Sequence, residues 1–425
     1  MRRVAVVGAG ISGMAAAYYL GRRHDVWLFE REPRLGGHTH TVPVDTPGGT
    51  LGVDTGFIVF NERNYPNLIA LFRELGVASQ PSDMSFSVSN PRTGFQYSSR
   101  GVGGFFADRA NLLRVSHYRL LAEIGRFHRR ARRLLPGSAG ATGGGAGPEN
   151  PGGGPSLEQW LDRERFGPAF RSHFLYPMIA SIWSTSPGEV GSFPARMMAR
   201  FFDNHGLLQM VGNPRWRVVR GGSSTYIPPL TGPLGERVVP SAGITGIRRA
   251  DDGVTIDFAG RAAMRFDEVV LACHGDEVLP LLADPTPAER DLFPAFRTSR
   301  NDTWLHTDGR LLPTRAAARA SWNYQESDGK EGVTLTYHMN RLQSLDAPED
   351  YCVTLKPEGL VDEGKVIAKL VYRHPIYTPE ALRAQLRWAE VSGVRRTHYC
   401  GAYWFDGFHE DGVRSALRVA NAIGA

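Results

Sequence analysis

The sequence predicts an α/β fold, and three features of its first thirty residues carry that prediction. Residues 4–7 form an apolar, β-branched run, which is typical of a strand buried on both faces of a parallel sheet. Gly8, Gly10 and Gly13 follow this run with the spacing G-x-G-x-x-G, and residues 14–20 then have the composition of a helix. A second apolar strand ends in Glu30.

This order of elements is typical of a Rossmann-like dinucleotide-binding domain. One glycine makes the tight turn, the next lets backbone approach a pyrophosphate, and the third lets the helix pack on the strand. The N-terminus of the helix offers unpaired N–H groups to the phosphates. Glu30 stands where an acid binds the adenosine ribose, and its charge would repel a 2′-phosphate, so FAD or NAD is favoured over NADP. A glycine-rich turn in another α/β protein is the alternative.

The segment Arg34-Leu-Gly36-Gly37-His38 resembles the second glycine pair of flavoproteins in the amine oxidase superfamily. That superfamily includes monoamine oxidases, protoporphyrinogen oxidase, phytoene desaturases and fatty-acid double-bond isomerases. The resemblance implies FAD and a GR2-type, Rossmann-like FAD-binding domain with an interleaved α+β substrate domain. The expected FAD-binding domain comprises residues 1–75, 212–290 and 396–425. The expected substrate domain comprises residues 76–211 and 291–395.

The composition is that of an ordinary globular chain of 425 residues, 42% hydrophobic and 22% charged. The net charge of +6 mildly favours acidic partners such as phospholipid head groups, although an arginine-rich genome is the simpler explanation. The cysteines (Cys273, Cys352 and Cys400) lack metal-ligand spacing and indicate a reduced compartment. We therefore expect a cytoplasmic protein with no metal, no nucleic-acid partner, no signal peptide and no membrane span.

Residues 41–54 alternate as a hairpin that turns near Pro47, and a helix is predicted over residues 65–75. Between them lies Asp54-Thr-Gly56-Phe-Ile58. In the superfamily an Asp-x-Gly at this place brings the backbone close to the flavin ring, which requires a small residue at Gly56. A plain buried turn is the alternative.

The next segments are assigned to the substrate domain. Residues 81–96 predict two short strands, and residues 108–135 predict a helix that ends in the basic run 126–133. Such a helix can make peripheral contact with the inner face of an anionic membrane, and a solvated face is the alternative. Residues 136–155, rich in Gly and Pro, predict a flexible loop. The large apolar side chains of residues 174–187 and 201–208 suit either a tunnel wall or an ordinary core.

After Trp216 the chain is expected to return to the FAD-binding domain. Residues 237–257 alternate as antiparallel strands, and Ile244 matches the residue whose backbone contacts the adenine in the superfamily. A buried strand is predicted at residues 266–272, ending at Ala272, and His274 follows in a loop near the cofactor. Strands of the substrate domain are predicted at residues 303–308, 321–324 and 333–338.

Residues 399–416 resemble the superfamily's final FAD motif, a strand and glycine turn that open a last helix from about Val413. The resemblance places the N-terminus of this helix at the pyrophosphate or the flavin N1/C2 side, and Trp404 beside the flavin face. The expected cofactor contacts are Gly8, Gly10, Ile11, Ser12, Gly13, Glu30, Arg31, Gly36, Gly37, His38, Thr55, Gly56, Phe57, Ile58, Ile244, Ala272, Gly412 and Val413.

Further motifs resemble one bacterial branch of the superfamily, described as predicted NAD/FAD-binding proteins. These motifs are residues 37–42, 54–61, 182–187, 204–208, 321–324 and 407–412. Members of the branch accompany cyclopropane-fatty-acid-synthase-like methyltransferases, and some resemble desaturases of methylated acyl chains in furan fatty acid formation. The resemblance therefore implies a phospholipid or fatty acyl substrate and a lipid methyltransferase partner.

The expected chemistry follows from what the flavin needs. Members of the monoamine oxidase type carry a lysine that holds a water at flavin N5, and residues 300–302 replace it here. This favours hydride transfer from a lipid acyl chain to N5, by desaturation or double-bond rearrangement. The candidate catalytic residues are His38, His274 and Trp404, since an imidazole suits general-base work, while Asp54 and His409 are also expected near the cofactor. An oxidase of small amines and a non-catalytic flavoprotein partner of a lipid-modifying enzyme are the alternatives.

Overall fold

The computed structural model describes residues 1–135, 154–183, 190–208, 214–326 and 334–425. The strands are β1 Arg3–Val7, β2 Asp25–Phe29, β3 Thr41–Thr46, β4 Gly49–Asp54, β5 Val59–Asn61, β6 Ser79–Pro81, β7 Phe86–Asn90, β8 Phe95–Ser98, β9 Trp216–Val219, β10 Val238–Val239, β11 Ile244–Ala250, β12 Gly253–Phe258, β13 Arg261–Phe266, β14 Glu268–Leu271, β15 Arg297–His306, β16 Trp322–Gln325, β17 Thr334–His338, β18 Cys352–Leu355, β19 Val366–Ile376 and β20 Thr397–Tyr399. The helices are α1 Ile11–Leu20, α2 Pro66–Glu74, α3 Gly101–Phe105, α4 Val115–Arg132, α5 Leu157–Arg163, α6 Pro168–Phe170, α7 Tyr176–Trp183, α8 Ala195–Asn204, α9 Ile227–Thr231, α10 Gly275–Leu281, α11 Pro287–Leu292, α12 Met339–Leu342, α13 Pro379–Leu386, α14 Trp388–Val391 and α15 His409–Ile423. Short 3-10 turns cover Arg109–Leu113, Ser223–Tyr226, Gly232–Arg237, Phe293–Ala295, Gly309–Leu311, Ala316–Ala318, Glu363–Lys365 and Ala402–Trp404, and a π turn covers Arg171–Leu175.

A five-stranded parallel sheet carries the N-terminal glycine turn, with the spatial order β10, β2, β1, β14, β20. Strands β1 and β14 are buried along most of their length, as expected for central parallel strands covered on both faces. The first and last helices pack closely, since a Cβ added to Gly412 would lie 2.7 Å from Cγ2 of Ile11. The predicted α/β fold is confirmed, and both ends of the chain contribute to one layered unit.

A second sheet has seven strands in the order β19, β15, β18, β17, β16, β7, β8, antiparallel throughout except for the parallel pair β16 and β7. The predicted strands at residues 303–308, 321–324 and 333–338 correspond to β15, β16 and β17. Two strands were missed, β18 and β19. Strand β19 is rich in Val, Ile and Tyr, and its first residues alternate between partly buried and exposed, so a strand signal was present in the sequence and was not used.

Two helix boundaries differ from the sequence prediction. The helix predicted over residues 108–135 divides into a 3-10 turn and α4, because Asp108 caps the turn by accepting a hydrogen bond from the Ala110 N–H and Arg114 is extended. The last helix begins at His409, four residues before the predicted start, because the Asp411 carboxylate accepts the Phe408 N–H at 2.9 Å and caps the earlier turn.

Most of the predicted flexible loop at 136–155 lies outside the described residues, as do residues 184–187 of the 182–187 motif. In the part of the chain that is described, no helix has both the length and the apolar character needed to cross a bilayer.

A buried ion pair ties β11 to α11. Arg249 and Glu289 are fully buried, with Nη1 to Oε1 at 2.6 Å and Nη2 to Oε2 at 3.0 Å. Replacing Arg249 by methionine leaves the Glu289 carboxylate buried without its partner, so we expect the free energy of unfolding to fall by about 3–5 kcal/mol. The matched control is Arg248→Met, since Arg248 pairs with Asp257 in solvent and should contribute little. Urea unfolding measures both, and equal losses would contradict the prediction.

The second sheet contains a hydrogen bond to His306 that we expect to be lost in acid. Its Nδ1 accepts the Asp308 N–H at 3.0 Å, and burial lowers the pKa of His306 to about 4 from 6.5. The unfolded chain therefore binds this proton first, and the free energy of unfolding should fall by up to ~3 kcal/mol as pH drops from 6.5 to 4. His306→Asn keeps an acceptor for Asp308 but cannot titrate. Its urea-unfolding curve against pH should be flatter than that of the wild type, and parallel curves would refute the assignment.

Candidate functional site

A cavity of about 1020 Å³ is lined by residues of both sheets. This volume is at the upper end of the range for cofactor and small-molecule sites, about 300–1,000 Å³. The predicted cofactor contacts on its wall are Gly8, Gly10, Ile11, Ser12, Glu30, Arg31, Gly36, Gly37, His38, Thr55, Gly56, Phe57, Ile58, Ile244 and Ala272. The structure therefore brings together residues from five separate stretches of the chain.

The three glycines of the N-terminal motif have different structural roles. Gly8 has φ +104°, and a Cβ there would lie 2.9 Å from the backbone of Ala272. Gly13 is off the cavity wall. A Cβ at this position would collide with the Gly8 carbonyl oxygen, so the role of Gly13 is to let α1 pack on the turn. Gly10 alone faces open space, with no atom within 4 Å of a built Cβ. Backbone at Gly10 is thus free to approach a ligand closely.

Glu30 follows β2 and lies on the cavity wall beside the glycine turn. Its Oε2 accepts the Ala9 N–H at 2.7 Å, and its Oε1 accepts the Glu32 N–H at 3.0 Å. The neighbouring Arg31 pairs with Glu277 at 3.0 Å. The carboxylate is therefore fixed by backbone donors at the place where the sequence predicted a ribose contact.

The second glycine pair forms a tight loop against the first. Gly36 and Gly37 have φ +108° and +58°, and the Gly36 N–H donates to the Ala9 carbonyl at 2.8 Å. Arg34 donates to the carbonyls of Gly37 at 2.7 Å and Thr39 at 2.9 Å. These bonds join the two glycine motifs into one wall of the cavity.

The Asp-x-Gly segment packs on the same loop. A Cβ at Gly56 would lie 2.2 Å from the His38 carbonyl oxygen, which also accepts the Phe57 N–H at 2.7 Å. Asp54 is fully buried and faces away from the cavity, where it accepts hydrogen bonds from Thr41 Oγ1 at 2.6 Å and the Ser223 N–H at 2.8 Å. Burial raises the pKa of Asp54 to about 6. Its role is to join the hairpin to the 3-10 turn that follows Gly222.

These features fit a dinucleotide that lies along the N-terminal turn. The open space at Gly10, the fixed carboxylate of Glu30 and the glycine loop at Gly36 supply close backbone approach, a ribose acceptor and a turn without side chains. His38 adds a buried Nε2 without a partner among the described residues. A polar cofactor group would satisfy this nitrogen.

A group of imidazole and phenol rings lies beyond the glycine loops. The His38 ring is 5.2 Å from those of Tyr372 and His374 and 6.0 Å from that of His274. Burial lowers the pKa of His38 well below its usual value and that of His374 to about 4, and it also lowers the pKa of His274. Asn301 Nδ2 donates to His374 Nδ1 at 2.8 Å, so the proton of the neutral His374 ring is on Nε2. This wall carries neutral imidazoles at pH 7.

His409, the first residue of α15, is also on the cavity wall. Its ring stacks on Phe57 at 3.7 Å, and its Nε2 is 3.1 Å from Oγ1 of Thr39. Thr39 also bonds the buried hydroxyl of Tyr226. Burial lowers the pKa of His409 to about 3, so this ring is also neutral at pH 7.

The C-terminal contacts differ from the prediction. Trp404 is 2% exposed and off the cavity wall, with its ring edge-to-face on Phe296 at 4.9 Å, because the backbone turns at Gly401 so that Tyr403 faces the cavity instead. Gly412 and Val413 also lie off the wall, in the second turn of α15, and the Gly412 N–H donates to the Phe408 carbonyl. The cavity is reached by Gly407, Phe408 and His409, which precede them.

Several wall residues were not predicted from the sequence. Tyr372, Arg373 and His374 lie on β19, and Asp276 and Glu277 open α10. Arg373 pairs with Asp276 at 2.6 Å and Glu277 at 3.2 Å, which joins the two elements across the cavity. The place of Asp276 and Glu277 was a usable signal, because α10 follows directly after the parallel strand β14 and ligands in open α/β sheets bind at the carboxyl ends of the strands.

The part of the wall contributed by β7, β9, β16, β17, β18, α7, α8 and the residues beside them is apolar. It consists of Met84, Phe86, Met178, Ser181, Ile182, Phe201, His205, Leu207, Trp216, Trp322, Tyr337 and Leu355. Burial lowers the pKa of His205 to about 4, so this side chain is neutral at pH 7. Among the described residues, this wall has no carboxylate and no cation.

Comparison with known proteins identifies the class that this fold and site define. Residues 11–351 match the model of the flavin-containing amine oxidoreductase family. The chain belongs to that family, which confirms the predicted superfamily and its cofactor, FAD.

The individual relatives are distant. "Putative flavin-containing monoamine oxidase AofH" of Mycobacterium tuberculosis is 28% identical over 263 residues, which are 60% of this chain and 53% of that protein. The chain thus matches about half the length of this curated relative. The CLA-producing fatty acid isomerase from P. acnes has a TM-score of 0.70 at 15% identity, covering 100% of this chain and 99% of its own. Cyclohexylamine oxidase from Brevibacterium oxydans has a TM-score of 0.66 at 16% identity, covering 99% and 98%. These two structures share the fold.

Proposed function

We propose that the protein is an FAD-dependent oxidoreductase that acts on a lipid acyl chain, by desaturation or double-bond rearrangement. The apolar wall of the cavity carries this proposal. Each Å² of hydrocarbon surface that leaves water contributes about 25 cal/mol of favourable free energy to binding. A wall without charged groups allows this contribution along the whole acyl chain. The fatty acid isomerase among the structural neighbours is compatible with such a substrate.

The two ends of the cavity would do different work. The apolar wall would bind the acyl chain, orient one carbon–hydrogen bond and exclude water. When bound, FAD supplies the two-electron acceptor. The neutral imidazoles of His38 and His274 would be available to accept a proton, because burial keeps both uncharged at pH 7. Trp404 is off the cavity wall and packs on Phe296, and an indole ring has no basic group, so we propose no proton transfer for it.

The charge distribution argues against a small amine as substrate. A small ammonium group gains most from a nearby carboxylate, and the carboxylates on the cavity wall (Glu30, Glu32, Asp276 and Glu277) all lie outside the apolar wall, so that only aromatic faces could receive the charge there. The lysines of the described residues, Lys356, Lys365 and Lys369, are exposed and off the wall. Lys330 lies outside the described residues. Asn301, in the segment where amine oxidases carry lysine, bonds His374 instead.

Anaerobic bleaching of the flavin absorbance tests the proposal. The holoenzyme is mixed with detergent-dispersed phosphatidylglycerol that carries an oleoyl or a 10-methyl acyl chain, and separately with putrescine and cyclohexylamine. We expect bleaching by one of the lipids, or a new double-bond position in the lipid by mass spectrometry, and no bleaching by the amines. Bleaching by an amine with hydrogen peroxide release in air would establish the amine oxidase alternative. Failure of every substrate would favour a non-catalytic partner.

A further inference from the structure

The structure exposes a group of hydrophobic side chains that are close together in the sequence and off the cavity wall. Twelve large hydrophobic side chains are exposed in the described residues, and half of them lie within residues 102–121, here called the 102–121 surface. They are Val102, Leu112, Leu113, Val115, Tyr118 and Leu121. Leu113 is 90% exposed and Val115 is 65% exposed. Contact of so much contiguous apolar surface with water is unfavourable unless another surface covers it.

These exposed side chains do not simply border the buried face of helix α4. Helix α4 packs into the protein with one stripe, formed by His117, Leu120, Ile124, Phe127 and Ala131. Val115, Tyr118 and Leu121 form a second stripe, at a spacing of three residues, on the solvent side of the same helix. One apolar stripe is sufficient for a helix at the surface of a protein.

The turn before the helix is held rigidly. Arg114 Nη1 donates to Asn111 Oδ1 at 2.9 Å, and the Tyr118 hydroxyl donates to the Leu112 carbonyl at 2.9 Å. His117 Nε2 lies 2.8 Å from the Phe105 carbonyl oxygen. Leu112 and Leu113 are therefore presented outward by fixed backbone.

The charge around this surface is strongly positive. Residues 100–121 contain four arginines and one carboxylate, Asp108, an excess of three charges, and residues 122–133, which continue the same helix, add five arginines and one carboxylate, Glu123. Both carboxylates are engaged, Asp108 by Arg315 at 3.1 Å and Glu123 by Arg126 at 3.1 Å. Arg109 and Arg119 are exposed and make no ion pair with any described residue.

We propose that the 102–121 surface docks the protein on an anionic lipid bilayer. Its aliphatic side chains would enter the boundary between head groups and acyl chains, and the surrounding arginines would bind the lipid phosphates. A nucleic acid would use the arginines but gain little from exposed leucine and valine. The arginine run at residues 126–133, which the sequence singled out, is a poorer fit, because Phe127 and Ala131 are buried and Arg132 donates to the Leu208 carbonyl at 2.7 Å. This proposal does not depend on the substrate.

Vesicle flotation of the holoenzyme tests the docking. We expect the wild type to float with phosphatidylglycerol vesicles and to remain below phosphatidylcholine vesicles at about 0.1 M salt. The triple variant Leu112→Ser, Leu113→Ser, Val115→Ser should lose at least tenfold in partitioning to phosphatidylglycerol. The matched control changes three other exposed side chains, Leu360→Ser, Leu386→Ser and Val394→Ser, and should float like the wild type.

Four outcomes would overturn the proposal. The first is a wild type that floats with neither vesicle, and the second is a triple variant that floats like the wild type. The third is a wild type whose concentration-dependent dimer on gel filtration is abolished by the triple variant, which would assign the surface to a second copy. The variant Arg109→Gln, Arg119→Gln should weaken flotation. The fourth outcome is tight binding of a short DNA duplex by the wild type. If the arginine variant loses this binding and the triple variant keeps it, the surface binds nucleic acid instead. Flavin absorbance and melting temperature verify folding of each variant.

Discussion

Replacing Gly10 by valine is expected to give a folded protein that no longer retains FAD. A Cβ at Gly10 meets no protein atom within 4 Å, and the backbone φ of −72° suits any residue, so the fold should tolerate the change. The side chain would occupy the space through which a pyrophosphate approaches the start of α1. The valine would keep the phosphates from the backbone N–H groups, and we expect the FAD dissociation constant to rise by at least ~100-fold, about 3 kcal/mol.

Titration of the apoprotein with FAD, followed by flavin fluorescence, measures this effect. The matched control is Gly232→Val, since a Cβ at Gly232 also meets nothing within 4 Å and Gly232 is off the cavity wall. The control should bind FAD like the wild type. A yellow Gly10→Val protein with unchanged affinity would show that the dinucleotide does not lie along this turn. Loss of FAD in both variants would point to a general effect on folding.

The glycine turns and the carboxylate near the N-terminus could be predicted from the sequence because they are close together in the chain. Gly8, Glu30 and Gly36 are less than thirty residues apart, and each has one physical role that few other residue types can fill. Gly56 is similar, since any side chain there would strike the His38 carbonyl. For such positions, residue type and spacing together determine the geometry.

The wall beside His38 could not be predicted in this way. Tyr372 and His374 reach the cavity because β19 pairs with β15, more than sixty residues earlier in the chain, and a local pattern does not specify that pairing. The error at Trp404 has a different cause. Tyr403 and Trp404 are adjacent aromatic residues, and the turn at Gly401 decides which of them faces the cavity. A one-residue shift exchanges a wall residue for a core residue, and composition is the same in both cases.

Replacing Met178 by glutamate should distinguish the two substrate classes by the sign of its effect. Met178 lies on the apolar wall, in helix α7. A carboxylate there must be desolvated when an acyl chain enters, at a cost of several kcal/mol. We expect kcat/KM for the acyl substrate to fall by at least ~100-fold, about 3 kcal/mol, with FAD content unchanged. An ammonium substrate would instead gain a counter-ion, and its KM should fall.

Met178→Leu is the matched control, because it keeps the volume and the apolar character of the wall and should cost less than about threefold. Steady-state rates of the holoenzymes, with flavin absorbance as a measure of cofactor content, make the comparison. Equal losses in both variants would mean that shape, and not polarity, decides access to this part of the cavity. An improved KM for amines in the glutamate variant, with the acyl substrate unaffected, would overturn the lipid assignment. The charge of this wall is therefore the property on which the proposed substrate depends, and a single carboxylate is enough to test it.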